Sequence, residues 1–479
     1  MKISREKLDL LENLSFGQRV AEDEPHLEDY FVETPLWRKM VRGEIDIVYG
    51  SKGSGKSAIF HLLTSGKGLP RNVIVIPAEN PRGTPIFNGI KKDPPTSESE
   101  FIYLWKFYIL SLIANQSQVL NGLEANHQEL LRELKSVGVI DVDKSEILKN
   151  VLRYVESVKI GGVFEIGLNS FPEDREKRIN IDRGLFILNE IVSGTDTSIW
   201  IAFDRLDSVF DDNANLEENA LRALFKVYLD ILRYRKIQLK IFLRTDIWRR
   251  LTDQGFREAS HITRTDTIEW PENNIVNLIS KRLLNNPKLV SYYNFDIEET
   301  LSDYAKQLEL FYMVYPRQVD PGDRKPETVK WMMSRVADGT KRAAPRELIH
   351  LLNQAKDEQI ESLEIGEPAP EKKNLFTSTS LKRALPTISR VRLEQTLFSE
   401  YPDVKKYVLA LEKEKTAHTL KTLSSIWRLG EDEVPPVALK LAEVGFFEIR
   451  GDKSNPEYWI PFLYRPSLNL IQGKAEDDE

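Results

Sequence analysis

None of the 479 residues is cysteine, which excludes disulfides, thiolate metal sites and cysteine nucleophiles. Histidine is scarce too: the six present are scattered, without the paired spacing of a zinc site. Long apolar runs are missing, and no hydrophobic stretch approaches the roughly 20 residues of a membrane span. The opening Met1-Lys-Ile-Ser-Arg-Glu-Lys7 is charged and lacks the apolar segment of a signal peptide. A cytoplasmic protein without membrane contact is the expectation. Positive charge is in deficit: the formal net charge is −7, which argues against a whole-surface nucleic-acid binder and leaves a local basic patch open. No guanine-reading Asn-Lys-x-Asp run and no nuclease-type carboxylate cluster is visible. What is there is ordinary globular composition, 41% hydrophobic, in a chain long enough for two or three domains.

Glu44–Tyr49 alternates and is rich in β-branched residues, so it reads as a strand. A glycine-rich loop follows at once, then a helical stretch over Lys56–Ser65. Asn72–Pro77 is a continuous apolar run, as a buried parallel strand should be. After Thr96–Glu100, which resembles a helix start, Phe101, Leu104, Trp105, Tyr108 and Leu112 recur at helical spacing. Residues 126–157 are helical in pattern, and Gly161-Gly162 within Lys159–Ile166 suggests a small hairpin. Two more buried strands, Ser198–Phe203 and Leu239–Leu243, flank a helix around 215–235. Thr267–Trp270 reads as a last short strand, and 271–362 as helical throughout.

Gly50-Ser51-Lys52-Gly53-Ser54-Gly55-Lys56-Ser57 fits G-x-x-x-x-G-K-[ST] at every fixed position, with Ala58 following. Glycines let backbone N–H groups turn inward around phosphates, and the helix that starts here points its positive end at the same anions. Lys56 is expected to reach the β- and γ-phosphates of ATP, and Ser57 to ligate Mg2+. Asp204, directly after the third strand, is the second expected Mg2+ ligand. Arg205 occupies the position where many P-loop ATPases carry a glutamate base. Asp207 or Glu79 is then the base, or turnover is slow.

The strand ending Arg244-Thr245-Asp246 lies about 40 residues after the acidic one. Thr245 and Arg244 are candidates to sense the γ-phosphate from a strand inserted between the loop strand and the acidic strand. Arg264, before the last strand, is the candidate finger toward a neighbouring subunit, with Arg249, Arg250 and Arg257 as competitors. Pro345-Arg346 opens a helix, and Arg346 is placed to fold back onto the γ-phosphate.

The expected class is α/β: a P-loop NTPase with an additional-strand parallel sheet, an all-helical lid and a C-terminal winged-helix-like domain. The expected division is 1–270 for the ATPase core, 271–362 for the lid, 363–378 for a linker, 379–474 for the winged-helix-like domain and 475–479 for a disordered acidic tail. Val434–Gly445 followed by two short strands gives the winged layout. Its helix carries only Lys440, with Arg450 and Lys453 on the wing, so it reads as docking protein rather than reading bases.

Together the phosphate loop, Asp204-x-x-Asp207, the Arg-Thr-Asp strand tip, Pro345-Arg346 and the C-terminal module resemble AAA+/STAND-type ATPases, a layout shared by origin-recognition initiators and KAP NTPases. Phe16-Gly17, Ala21-Glu22 and Tyr30-Phe31-Val32-Glu33-Thr34, followed by the loop to Ala58, look like a bacterial family of stand-alone P-loop ATPases of mostly unassigned function, whose genes are often found in mobile or defence-related neighbourhoods. The resemblance implies ATP at Lys56 and Ser57, Mg2+ near Asp204, a sensor at Thr245 and a lid arginine at Arg346. It also implies a homo-oligomer acting as a conformational or assembly switch, with an effector protein or DNA as further partner.

Overall fold

The computed structural model describes residues 2–78, 97–117, 125–160, 179–206, 214–452 and 455–475. They form two compact units. The sheet unit comprises Pro35–Gly50 and Ile59–Ile268; the helical unit comprises Met1–Thr34, Ser51–Ala58 and Glu269–Glu479.

The sheet unit is built on five strands: β1 (Ile47–Gly50), β2 (Val73–Pro77), β3 (Ser198–Phe203), β4 (Ile237–Arg244) and β5 (Thr265–Thr267). Their order is β2-β3-β4-β1-β5, and every pairing is parallel. β4 therefore lies between the loop strand and the acidic strand, as the sequence leads one to expect. This is the additional-strand sheet of an α/β P-loop NTPase. β1 and β3 are buried because helices cover a parallel sheet on both faces. The Val73–Pro77 run departs from expectation: as an edge strand, β2 is largely half-buried. β1 starts at Ile47, later than read, because Glu44 N–H turns back to Lys39 O at 2.9 Å.

The helix Glu98–Ser117 buries Phe101, Leu104, Trp105, Tyr108 and Leu112 against the helices Ala214–Ile231 and Ile181–Ser193. Gly184 makes the second approach close, since a Cβ there would come within 3.0 Å of both Leu110 methyls. The helical pattern expected over 126–157 is carried by two helices, Ala125–Ser136 and Lys144–Ile160. Gly138 ends the first with a left-handed φ of +74°, and Asn150 donates to its carbonyl at 2.7 Å. Of the expected Lys159–Ile166 hairpin, Lys159 and Ile160 continue the helix; 161–166 lie outside the described residues.

The helical unit holds the expected helices between 271 and 362, ending in Pro345–Glu364. A second, four-stranded sheet follows, with β6 (Lys415–His418), β7 (Glu448–Arg450), β8 (Glu457–Trp459) and β9 (Ile471–Lys474) in the order β7-β8-β6-β9. The helices Leu420–Trp427 and Val434–Glu443 lie between β6 and β7 in the chain. The 363–378 stretch, expected to be a linker, packs into the core: Leu363, Leu375 and Phe376 are buried, and Lys7 donates to the carbonyls of Pro370 and Lys372 at 2.7 and 2.9 Å. One apolar core runs from Leu10 and Phe16 through Leu348 and Leu381 to Leu468. Gly339 is pressed against the C-terminal segment: its N–H donates to Gly445 O at 2.6 Å, and a Cβ would sit 2.1 Å from Phe447 O. Among the described residues no helix is long and apolar enough to cross a membrane. Residues 476–479 of the acidic tail lie outside them.

Candidate functional site

In the chain, β1 runs into the glycine-rich loop and the loop into the helix Lys56–Ser65. Gly53 and Gly55 adopt left-handed φ values of +78° and +104°, which residues with a Cβ reach only with strain. Lys56 Nζ folds back to Ser51 O at 3.0 Å, and Ser54 N–H donates to the same carbonyl at 3.2 Å. Ser57 follows Lys56 in the helix's first turn.

Within the helical unit the loop is braced by distant parts of the sequence. Trp270 Nε1–H donates to Ser54 O at 2.8 Å, and Lys52 pairs with Glu400. Pro345 opens its helix from the first turn, which presents Arg346 and Glu347 to the loop. A Cβ on Gly53 would meet Arg346 Cβ at 2.9 Å and Glu347 Oε2 at 3.2 Å. Arg346, expected from sequence, is thus beside the glycine-rich loop, and its Nε is buried without a hydrogen-bond partner. A cavity of about 160 Å3 opens here, with Arg19, Lys52, Arg346, Glu347, His350 and Arg392 among its walls.

In the sheet unit, Gly50 pairs with Arg244 in register, and Asp204 follows β3 at the same edge. The carboxyl ends of parallel strands are where such sheets bind ligands. Asp204 is buried, at 7% exposure. Arg205 has a φ of +56°, a left-handed conformation that costs a non-glycine residue roughly 1–3 kcal/mol and is tolerated mainly where function demands it. Asp207 and Glu79 lie outside the described residues. Thr245 opens the helix Thr245–Asp253 at the tip of β4. Arg244 is engaged by Asp246, Nε to Oδ1 at 3.1 Å and Nη2 to Oδ2 at 2.9 Å.

Arg264 sits elsewhere. It precedes β5, beside Asp46 at the start of β1, so it lies at the opposite sheet edge from Gly50. Its Nε is 2.7 Å from Asp46 Oδ2, and its Nη2 donates to Gly43 O. Lys240 Nζ approaches Asp46 Oδ1 at 2.8 Å, and Tyr228 OH donates to Oδ2 at 3.2 Å. Arg264 is therefore paired with the buried Asp46 while its own side chain stays 39% exposed. Of its competitors, Arg250 pairs with Glu217.

Sequence reading missed Glu347, Arg392 and the Asp46 cluster. Only the last left a signal: single opposite charges, Asp46 and Lys240, inside otherwise apolar segments. On β7, Arg450 pairs with Glu448 at 2.8 Å and stacks over Trp459 at 3.9 Å, and Lys440 on the helix Val434–Glu443 pairs with Asp403 at 2.5 Å. Lys453 lies outside the described residues.

His350 adds a pH dependence. Burial, then the positive charge of Arg19, whose Nη1 is 3.3 Å from Nδ1, pushes its imidazole from 6.5 down to about 4. The unfolded chain therefore takes up this proton first. The resulting stability is present above pH 6.5 and is lost as pH falls toward 4. His350→Gln is expected to flatten the fall of the urea midpoint between pH 7.5 and about 5. An unchanged slope contradicts the assignment. His127 and His418, also lowered by burial, contribute with the same sign.

No family model matches the chain, and no curated protein sequence matches it. Among solved structures it is similar to the Aeropyrum pernix ORC1 protein in complex with DNA, at 10% identity and a TM-score of 0.36 over 94% of this chain and 96% of that one. It is also similar to the Aeropyrum pernix ORC2 protein solved as ADPNP–ADP complexes, at 10% identity and a TM-score of 0.29 over 90% of this chain and 92% of that one.

Proposed function

We propose that this chain binds ATP with Mg2+ and hydrolyses it, and that the nucleotide drives a conformational or assembly switch. One observation carries the reading: a complete G-x-x-x-x-G-K-S loop follows β1 and opens a helix, in a parallel sheet whose β4 separates β1 from the acidic β3. The left-handed Gly53 and Gly55 suit a backbone cradle for phosphates, and Arg346 Nε still lacks an acceptor. Gly50–Ala58 would hold the phosphates, with Lys56 on the β- and γ-groups. Ser57 and Asp204 would hold Mg2+, which when bound supplies charge neutralisation to the transferring phosphoryl group. Thr245, at the tip of β4, would be the γ-phosphate sensor, and Arg346, beside the glycine-rich loop, the lid arginine. Arg264 has no part in this reading, because Asp46 already holds it.

Arg205 favours a second reading, a switch that binds ATP tightly and turns it over slowly. Its left-handed backbone stands where a glutamate base would be expected. The two helices and hairpin over 420–459 have the layout of a winged helix, and Leu439, 49% exposed on the second helix, suits protein docking better than base reading. An effector protein is the partner this favours over DNA, within a homo-oligomer. A role in bacterial defence rests on the sequence resemblance.

Phosphate release from ATP tests the enzyme. Wild type is expected to release phosphate only with Mg2+, and Asp204→Asn to lose most of that release at unchanged fold. Release that needs no Mg2+, or an unaffected Asp204→Asn, contradicts the assignment.

A further inference from the structure

Glu347 sits against the phosphate loop with half of its carboxylate unsatisfied. It is 5% exposed. Its Oε1 accepts from Arg392 Nη1 at 2.8 Å. Its Oε2 has no hydrogen-bond partner and lies 3.2 Å from where a Cβ on Gly53 would stand. A buried, unpaired carboxylate oxygen is costly, more so than a neutral acceptor. Glu347 cannot turn away to relieve this. Arg392 is itself held by Asp338 at 3.3 Å and Tyr464 OH at 3.5 Å, so its planar fork fixes the carboxylate.

The missing partner must be a donor, since an ionised carboxylate only accepts. A phosphate is excluded, because it too only accepts and is negatively charged. A metal is a poor match: Glu347 already faces a guanidinium, and among the described residues no group of three or more His, Cys, Asp or Glu could hold an ion. Glu347 lines the cavity beside the loop. At about 160 Å3 it holds a part of a nucleotide rather than a whole one, since whole-ligand pockets run to roughly 300–1,000 Å3. Gln395 and Thr396 reach that cavity from Leu393–Leu397, a π-helical turn of a kind that recurs at functional sites.

We propose that Glu347 binds the nucleoside half of the nucleotide, its Oε2 accepting a hydrogen bond from a sugar hydroxyl or an exocyclic amino group. Arg392 is the positioning residue that aims it. This rests on the loop being an ATP site. It also runs the site's discrimination through Arg392 to Asp338, next to the Gly339–Gly445 contact with the C-terminal segment.

Binding of ATP, 2′-deoxy-ATP, 3′-deoxy-ATP and inosine triphosphate to the full chain, measured calorimetrically, tests it. One analogue, the one lacking the donor, is expected to bind wild type at least about tenfold more weakly than ATP, because a site built to bond that group is left unpaired. Glu347→Gln keeps the shape and is expected to bring that ratio to within about threefold. Arg392→Met is expected to shrink the same ratio, an effect on discrimination that a merely structural residue would not have. If wild type binds all four within about threefold, or if Glu347→Gln discriminates as wild type does, the inference is overturned and the ATP reading stands. If ATP itself does not bind, both fall.

Discussion

Lys56→Ala is expected to weaken ATP binding roughly 30- to 4,000-fold, the equivalent of the 2–5 kcal/mol lost when one partner of a buried charged pair is truncated. Lys56 stands at the start of the Lys56–Ser65 helix, where the helix dipole and the loop N–H groups already favour an anion. Those remain in the variant, so the loss measures the ammonium itself. Lys56 Nζ donates to Ser51 O at 3.0 Å, an arrangement that curls it over the loop, and a bound phosphate would compete for the same ammonium. Calorimetric titration reads the affinity, and a thermal melt checks that the fold is kept. A loss smaller than about threefold would mean that the loop does not grip the phosphates through this residue.

Asp46→Ala is expected to be the most destabilising single change in the sheet unit, by about 3–5 kcal/mol, since it strands buried charge rather than trimming a contact. Asp46 is 1% exposed, and Lys240 beside it is fully buried. Arg264 is 39% exposed and can turn to water, so the cost falls mainly on Lys240. Burial pushes the Lys240 ammonium down from 10.5 to about 8, even with Asp46 opposing it. Lys240 thus binds fewer protons folded than unfolded between pH 8 and 10.5, and stability rises with pH across that window. Without Asp46 the ammonium falls further, and the variant recovers part of its loss as pH rises. Urea unfolding at pH 7 and 9 reads both effects. A loss below about 1 kcal/mol would put this cluster among the inconsequential ion pairs.

The sheet was legible because its strands are short apolar runs with punctuated ends. Ser198–Phe203 was read to the residue, and the order with β4 inside followed from the spacing of two strand tips. Strands lacking that signature were missed. β6, Lys415–His418, has one aliphatic residue among four, and β9, Ile471–Lys474, is mostly exposed. Their pairing is tertiary and leaves no period-2 trace. The expected linker failed for a related reason: Gly, Pro and charge in 363–378 mark a turn-rich path, yet Leu375 and Phe376 anchor it in the core.

At the candidate site, the phosphate loop and Pro345-Arg346 were visible as motifs, and the structure sets those two side by side. Glu347 directly follows Arg346 in the first turn of its helix, where a glutamate reads as a dipole match. Its meaning comes from Arg392, 45 residues away in sequence, which only the fold brings to it. Arg264 shows the converse. Its place before a strand suggested a reach outward, while the buried Asp46, just before β1, pairs with it.

Titration of the 479-residue chain with ATP, with and without Mg2+, tests the central claim most directly. Saturable binding near one ATP per chain, tightened by Mg2+ and severely weakened in Lys56→Ala, is the predicted result. Binding that is absent at millimolar ATP, or that Lys56→Ala leaves intact, would contradict it.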